Sequence, residues 1–318
     1  MRGLLVVNLH ATTTSPRVTD VLVHALADEI DLEVVRTEHR GHAYELGERA
    51  RHERMDVVCT LGGDGTINET VNGMLAAGVG DDVPLLAPVP GGSANVVARS
   101  LGLPGDPVEA TGVLLEAVRE RRTRRIGLAT ATITRVDGTV EGPRWFLANA
   151  GLGIDADIIA AMEADRAGGH EATPGRYLLT TLRQYFLHTD RREPALAAEI
   201  PGQDPVDGVF LAIVQNTSPW TYLGPLAVNP CPLASYEAGL DLFAVRRMGV
   251  VAALRLSRRM LAASKAGSTK RSLTVLHDLP GLRLRAVRPT RLQIDGEGLG
   301  EASVVDFTSV AGALGVLC

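Results

Sequence analysis

Two rhythms of apolar and polar positions divide the chain. Over residues 1–125, short apolar runs alternate with stretches of helical spacing. Leu4–Asn8 predicts a first strand. Val18, Val21, Leu22, Ala25 and Leu26 then recur three and four apart, which predicts a helix over Val18–Ile30. Leu32–Arg36 reads as a strand and the polar stretch Ala43–Arg54 as a helix. Asp56–Leu61 is β-branched and flanked by polar residues, a third strand. Thr66–Ala77 is helical, Leu85–Val89 a strand, and Ser93–Leu101 and Pro107–Arg119 helical. This alternation predicts a parallel sheet covered by helices on both faces, with ligands at the carboxyl ends of the strands.

Beyond the Arg-rich stretch Arg119–Arg125 the rhythm changes. Ile126–Thr134, Trp145–Asn149, Val209–Asn216, Leu240–Val245, Leu273–Leu276, Leu282–Val287 and Leu292–Ile294 read as strands. Asp137-Gly138 is a hairpin dipeptide. Two or three helices interrupt them, over Ile158–Asp165, Arg176–His188 and Val250–Ala263. The expectation is an antiparallel, β-rich second domain. No internal repeat or low-complexity linker is visible.

At 318 residues the chain has room for about two domains. Apolar residues make up 45% and charged residues 22%, which excludes a disordered, collagen-like or coiled-coil chain. The longest clear apolar run, Val209–Val214, is far short of the roughly 18 residues of a membrane span. The N-terminal apolar stretch reads as a strand and not as a signal peptide. Cys59, Cys231 and Cys318 are odd in number and far apart, which fits a reducing cytosol. A net charge of −5 argues against a nucleic-acid partner.

Four segments carry candidate chemistry. Gly62-Gly63-Asp64-Gly65-Thr66-Ile67-Asn68-Glu69 leaves a predicted strand and opens a helix. Its glycines let backbone approach a ligand, and the helix start offers free N–H groups to phosphate. Asp64 beside phosphate would orient Mg²⁺ or a hydroxyl. A tight turn serving only geometry is the plain alternative. Pro90-Gly91-Gly92-Ser93-Ala94-Asn95 repeats the strand-to-helix context, with Ser93 a good N-cap. Two such turns on one sheet would make a two-sided phosphate cradle. Asn149–Asp155 holds a Gly-x-Gly that opens a helix, a weak signal by itself. Leu292–Glu297 runs from a strand into a turn with two carboxylates, Asp295 and Glu297, suited to accept a proton or hold a metal. No P-loop, Gly-x-Ser-x-Gly elbow or zinc spacing occurs.

Taken in order, Gly62–Glu69, Pro90–Asn95, Val96–Pro104, Asn149–Asp155, Asn216 and Asp295-Gly296-Glu297 resemble the diacylglycerol kinase catalytic-domain family. That family includes bacterial soluble lipid kinases and is related to sphingosine kinases. Trp220–Gly224 resembles its actinobacterial branch. The resemblance implies an α/β nucleotide domain over 1–125, to which 305–318 return. It also implies a β-sandwich lipid-substrate domain over 126–304, with an active site in the cleft. It implies that Asn8, Thr37, Gly62, Gly63, Asp64, Gly65, Thr66, Asn68, Glu69, Gly92, Ser93 and Asn95 bind ATP. Glu297 would be the general base, with Asp295 beside it, and Asp64 would help hold Mg²⁺. The chain departs from the family pattern at Leu9, Val96 and Ala238; Ala238 stands where several members carry the Asp of a structural Mg²⁺ site.

The expected function is an ATP- and Mg²⁺-dependent lipid kinase acting from the cytoplasm on the inner face of the membrane. Diacylglycerol to phosphatidic acid is its simplest form. The alternatives are an NAD kinase-like enzyme and a non-catalytic nucleotide-binding regulator. Arg176–His188, Trp220, Tyr222 and the Arg119–Arg125 run are candidate membrane-contact features, each with an ordinary packing or solvated-surface alternative. The oligomeric state is open between monomer and homodimer.

Overall fold

The computed structural model describes residues 1–8, 15–153, 156, 193–223, 225–247, 256, 258–260, 262, 269–270 and 272–318. The predicted helices Ile158–Asp165 and Arg176–His188 lie outside these residues, as does most of Val250–Ala263. So do Leu9, Ile154, Asp155 and Gly224. The chain divides into two compact units, Met1–Leu128 with Ala311–Cys318, and Ala129–Val310.

The first unit alternates β1 (Arg2–Val7), α1 (Pro16–Ala27), β2 (Asp31–Arg36), α2 (His42–His52), β3 (Val57–Gly62), α3 (Asp64–Met74), β4 (Leu85–Pro90), α4 (Val96–Ser100) and α5 (Pro107–Glu120). The strands are parallel in the order β4-β3-β1-β2, and the chain end joins beside β4, with Val316 paired to Leu86. Alternate residues of a strand point to opposite faces. Leu5, Val7, Cys59, Leu61, Ala87 and Val89 share a core with Leu22 and Leu26 of α1 and with Ala110, Leu114 and Ala117 of α5. Leu4 and Val6, on the other face, are buried as well. The α1 and α5 starts are capped by Ser15 and Asp106, each followed by proline.

The second unit is antiparallel and β-rich. It holds the second half of β5 (Thr123–Thr134), then β6 (Val140–Phe146), β7 (Asn149–Gly153), β8 (Leu196–Glu199), β9 (Val206–Val209), β10 (Leu211–Gln215), β11 (Thr221–Leu223), β12 (Leu226–Val228), β13 (Leu240–Val245), β14 (Thr269–Lys270), β15 (Leu273–Leu279), β16 (Gly281–Ile294) and the first part of β17 (Glu297–Leu317). Its long path runs β14-β15-β13-β10-β7-β16-β17, with β8 also on β16 and β5 paired to β6. A large core gathers inward residues of these strands, and a smaller one on the other face of β10 and β13 gathers Ile213, Phe243 and Val245. Within the large core Phe146 meets Phe307 edge to face, with ring centroids 5.9 Å apart.

Four sequence expectations change here. Leu282–Val287 and Leu292–Ile294 form one strand, because a register shift between Arg285 and Thr290 absorbs Pro289. Val209–Asn216 splits at Phe210: Val209 pairs with Leu196, while Leu211 onward pairs with β7 and β13. Trp145–Asn149 breaks at Leu147 and Ala148, whose amides turn towards a carboxylate. Asn149–Gly153, read as a Gly-x-Gly turn, is itself strand β7, between β10 and β16, and the helix expected after it lies outside the described residues apart from Ala156.

Candidate functional site

Parallel strands bring the first group of candidates to one edge of the first unit. Asn8 follows β1, Thr37 follows β2, Gly62 ends β3, and Pro90 ends β4. The Asn8 side chain donates from Nδ2 to Thr66 Oγ1 at 2.9 Å. The Thr37 amide donates to Val7 O at 2.9 Å, so the turn after β2 is tied back to β1. Glu69 Oε2 accepts the Gly41 amide at the start of α2. Asn68 is buried and accepts from Asn72 Nδ2.

The two glycine turns touch through their backbones. Gly91 N–H donates to Gly62 O at 2.7 Å. A Cβ on Gly92 would lie 2.8 Å from Gly63 Cα, which no side chain can occupy without moving one turn. Gly65 has open space where its Cβ would be. The glycines therefore serve two ends, turn-to-turn packing at Gly91 and Gly92 and an open approach at Gly65.

Ser93 is exposed and does not cap the following helix, contrary to expectation. Helix α4 starts at Val96 after Asn95, whose φ is +49°. The Asn95 side chain folds back instead: Oδ1 accepts the Gly92 amide and Nδ2 donates to Gly92 O, both at 2.8 Å. The capping acceptor comes from the other turn. Asp64 Oδ2 accepts the Val96 amide at 3.0 Å and Oδ1 the Val97 amide at 2.9 Å. Spacing gave no hint of this, because the partners lie more than 30 positions apart.

Asp295 and Gly296, with φ of +47° and +79°, form a two-residue hairpin between Ile294 and Glu297. The Asp295 carboxylate is buried and takes three backbone amides: Leu147 on Oδ2 at 2.8 Å, and Ala148 and Asn149 on Oδ1 at 2.8 and 2.9 Å. Its own amide returns a bond to Asn149 O at 2.8 Å. Gln293 Nε2 donates to Asn149 Oδ1, its Oε1 accepts the Gly296 amide, and Asn149 Nδ2 donates to Trp220 O. Asn216 Nδ2 donates to Leu147 O. Glu297 stands at the edge of this network, paired with Arg144. Sequence reasoning had no signal for Arg144 or Gln293, whose partners are set by strand pairing and not by spacing.

Among the described residues, no group of three or more His, Cys, Asp or Glu side chains is placed to hold a metal. The described residues thus make no protein cage for Mg²⁺. A cation carried on substrate phosphates needs only one or two carboxylates from a protein and keeps its waters. The basic run is largely engaged: Arg119 binds Glu29, Arg122 binds Glu120 and Cys318 O, and Arg125 binds Gly312 O. No helix among the described residues is long and apolar enough to cross a membrane.

Residues 2–131 match the family model of the diacylglycerol kinase catalytic domain. The chain is 26% identical over 285 residues to a Stenotrophomonas maltophilia protein named "Probable lipid kinase YegS-like", covering 87% of this chain and 84% of that protein. It is 41% identical to a Staphylococcus aureus diacylglycerol kinase, but over 80 residues, 25% of this chain and 24% of that one. Among solved structures, a diacylglycerol kinase from Bacillus anthracis shares the fold with a TM-score of 0.71 at 18% identity, over 99% of this chain and 96% of that one. An NAD kinase from Archaeoglobus fulgidus in complex with ATP matches more weakly, with a TM-score of 0.51 at 10% identity over 100% and 94%. With its two glycine turns in that region, the N-terminal part of the chain, residues 2–131, belongs to the diacylglycerol kinase catalytic-domain family.

Proposed function

We propose that the protein transfers the γ-phosphate of ATP to the hydroxyl of a membrane-borne lipid, diacylglycerol being the simplest acceptor. The observation that carries this reading is the pair of glycine turns. They lie at the carboxyl ends of adjacent parallel strands, backbone against backbone, and one of them opens the 11-residue helix α3. Such an edge presents N–H groups and a positive dipole end to phosphates.

Phosphoryl transfer asks a protein mainly for positioning and charge stabilisation. Unit 1 would hold the nucleotide: the turns at Gly62–Thr66 and Gly91–Asn95 around the phosphates, with Asn8, Thr37, Asn68 and Glu69 shaping the edge. Asp64, in the first glycine turn, would help hold Mg²⁺, which would neutralise charge on the phosphates. Glu297 would take the proton of the attacking hydroxyl, a role open to a carboxylate with partial solvent access. Asp295, saturated by amides, would fix the turn from which Glu297 projects.

We read the domain roles accordingly, nucleotide on the first unit and lipid on the second, with the protein working at the inner face of the membrane. The test is transfer of labelled phosphate from ATP to lipid in mixed micelles, with Glu297→Gln as the blank. Phosphorylation of NAD with no lipid product would favour the NAD kinase-like alternative. ATP binding with neither product would favour a silent nucleotide sensor.

A further inference from the structure

One short segment grips both carboxylates of the Asp295-Gly296-Glu297 turn, and by different means. Leu147, Ala148 and Asn149 hold Asp295 through backbone amides. Three residues earlier, at the end of β6, Arg144 Nη2 donates to Glu297 Oε2. Asp295 is 9% exposed, whereas the Glu297 and Arg144 side chains are 23% and 29% exposed. Main-chain amides thus hold Asp295, and a guanidinium holds Glu297.

We propose that Arg144 is the positioning residue of Glu297. Its guanidinium, bonded to Oε2, sets the orientation in which the carboxylate meets the acceptor hydroxyl. The inference rests on the reading of Glu297 as the base. A glutamate side chain has several torsions and, left alone, samples many staggered states. A general base works only within hydrogen-bond reach of the proton it takes. A partly exposed ion pair adds little to folding stability, so direction is the larger service. A guanidinium gives that direction through its rigid planar fork; an ammonium supplies charge at a point and less geometry. Arg144 itself is aimed by its strand, since it pairs with Ala131 of β5 in register.

The test compares wild type with Arg144→Met, Arg144→Lys, Glu297→Gln and the Arg144→Met/Glu297→Gln double variant. Arg144→Met is expected to lower kcat by about 30- to 100-fold, the scale of a misplaced catalytic group, with the KM for ATP within about twofold. Arg144→Lys should recover part of the loss, and the double variant should be no worse than Glu297→Gln alone. A second readout needs no turnover. Carbodiimide labelling of Glu297, followed by mass spectrometry, should be several-fold faster in Arg144→Met than in wild type. The inference is overturned if Arg144→Met keeps wild-type kcat, if its loss multiplies with that of Glu297→Gln, or if Glu297 labelling is unchanged. A wild type that phosphorylates no lipid would overturn the proposed function instead, and the labelling would still decide whether Arg144 orders Glu297.

Discussion

The carboxylate of Asp64 accepts the amide proton of Val97, 33 positions further along the chain, at 2.9 Å. With the matching bond to Val96, the aspartate of the first glycine turn caps the helix that follows the second. The two turns are thereby locked together by a side chain as well as by the Gly91–Gly62 backbone bond.

Removing that lock should loosen the nucleotide edge. Asp64→Ala is expected to cost about 1–2 kcal/mol of stability, the usual loss for a capping acceptor. It should also weaken ATP binding by about tenfold, the equivalent of 1.4 kcal/mol. Titration calorimetry with and without Mg²⁺ separates the roles. A loss equal in both conditions marks the cap; a loss confined to Mg²⁺ marks a metal ligand.

Glycine substitutions should separate folding from ligand approach. Gly92→Ala places a methyl 2.8 Å from Gly63 Cα, so the turns must part. Overpacking of this kind costs about 1–3 kcal/mol, and both melting temperature and ATP affinity should fall. Gly65→Ala meets nothing within 4 Å and lies in helix α3. It should leave the melting temperature unchanged or higher, because alanine is the better helix former. Only its ATP affinity should drop.

The two carboxylates of the hairpin should fail differently. In Asp295→Asn an amide group would face one of the three N–H donors. Losing a buried acceptor costs about 1–3 kcal/mol or more, so this variant should melt earlier as well as lose turnover. Glu297→Gln touches only a partly exposed ion pair and should cost less than about 1 kcal/mol. Its turnover should still fall by about 100- to 10,000-fold, the range for a lost general base.

The acid range should report a different carboxylate. Burial raises the Asp241 carboxyl above the usual value, although His277 Nδ1 at 2.7 Å and the Asp278 amide pull the other way. A carboxyl with a raised folded-state pKa binds its proton more tightly in the native protein. Its contribution is most favourable below the unfolded value of 3.8 and is lost as pH rises through the folded value. Asp241→Asn keeps an acceptor for both partners and removes the buried charge. The stability of wild type relative to this variant should therefore decline as pH rises above 3.8, as read by urea midpoints across the acid range.

The α/β half was readable because its pattern is local. Each predicted strand from Leu4–Asn8 to Leu85–Val89 has an observed counterpart shifted by a residue or two at its ends. Asp295-Gly296 was also readable as a hairpin, since that dipeptide accepts positive φ at both positions. What the sequence hid was non-local. The break at Leu147–Ala148 exists because their amides serve Asp295, nearly 150 positions away. Ser93 looked like a cap by position, but Asp64 takes that task from another turn. Arg144 carried no motif and gained its meaning only when β6 brought it to Glu297.

The most direct test of the central claim is transfer of label from γ-phosphate-labelled ATP to diacylglycerol in mixed micelles with Mg²⁺, run beside Glu297→Gln. The account predicts labelled phosphatidic acid with wild type and almost none with the variant, while both bind ATP alike. Equal product from the two proteins would remove Glu297 from its role. No labelled lipid from diacylglycerol or from a total lipid extract, with ATP binding intact, would contradict the lipid-kinase reading itself.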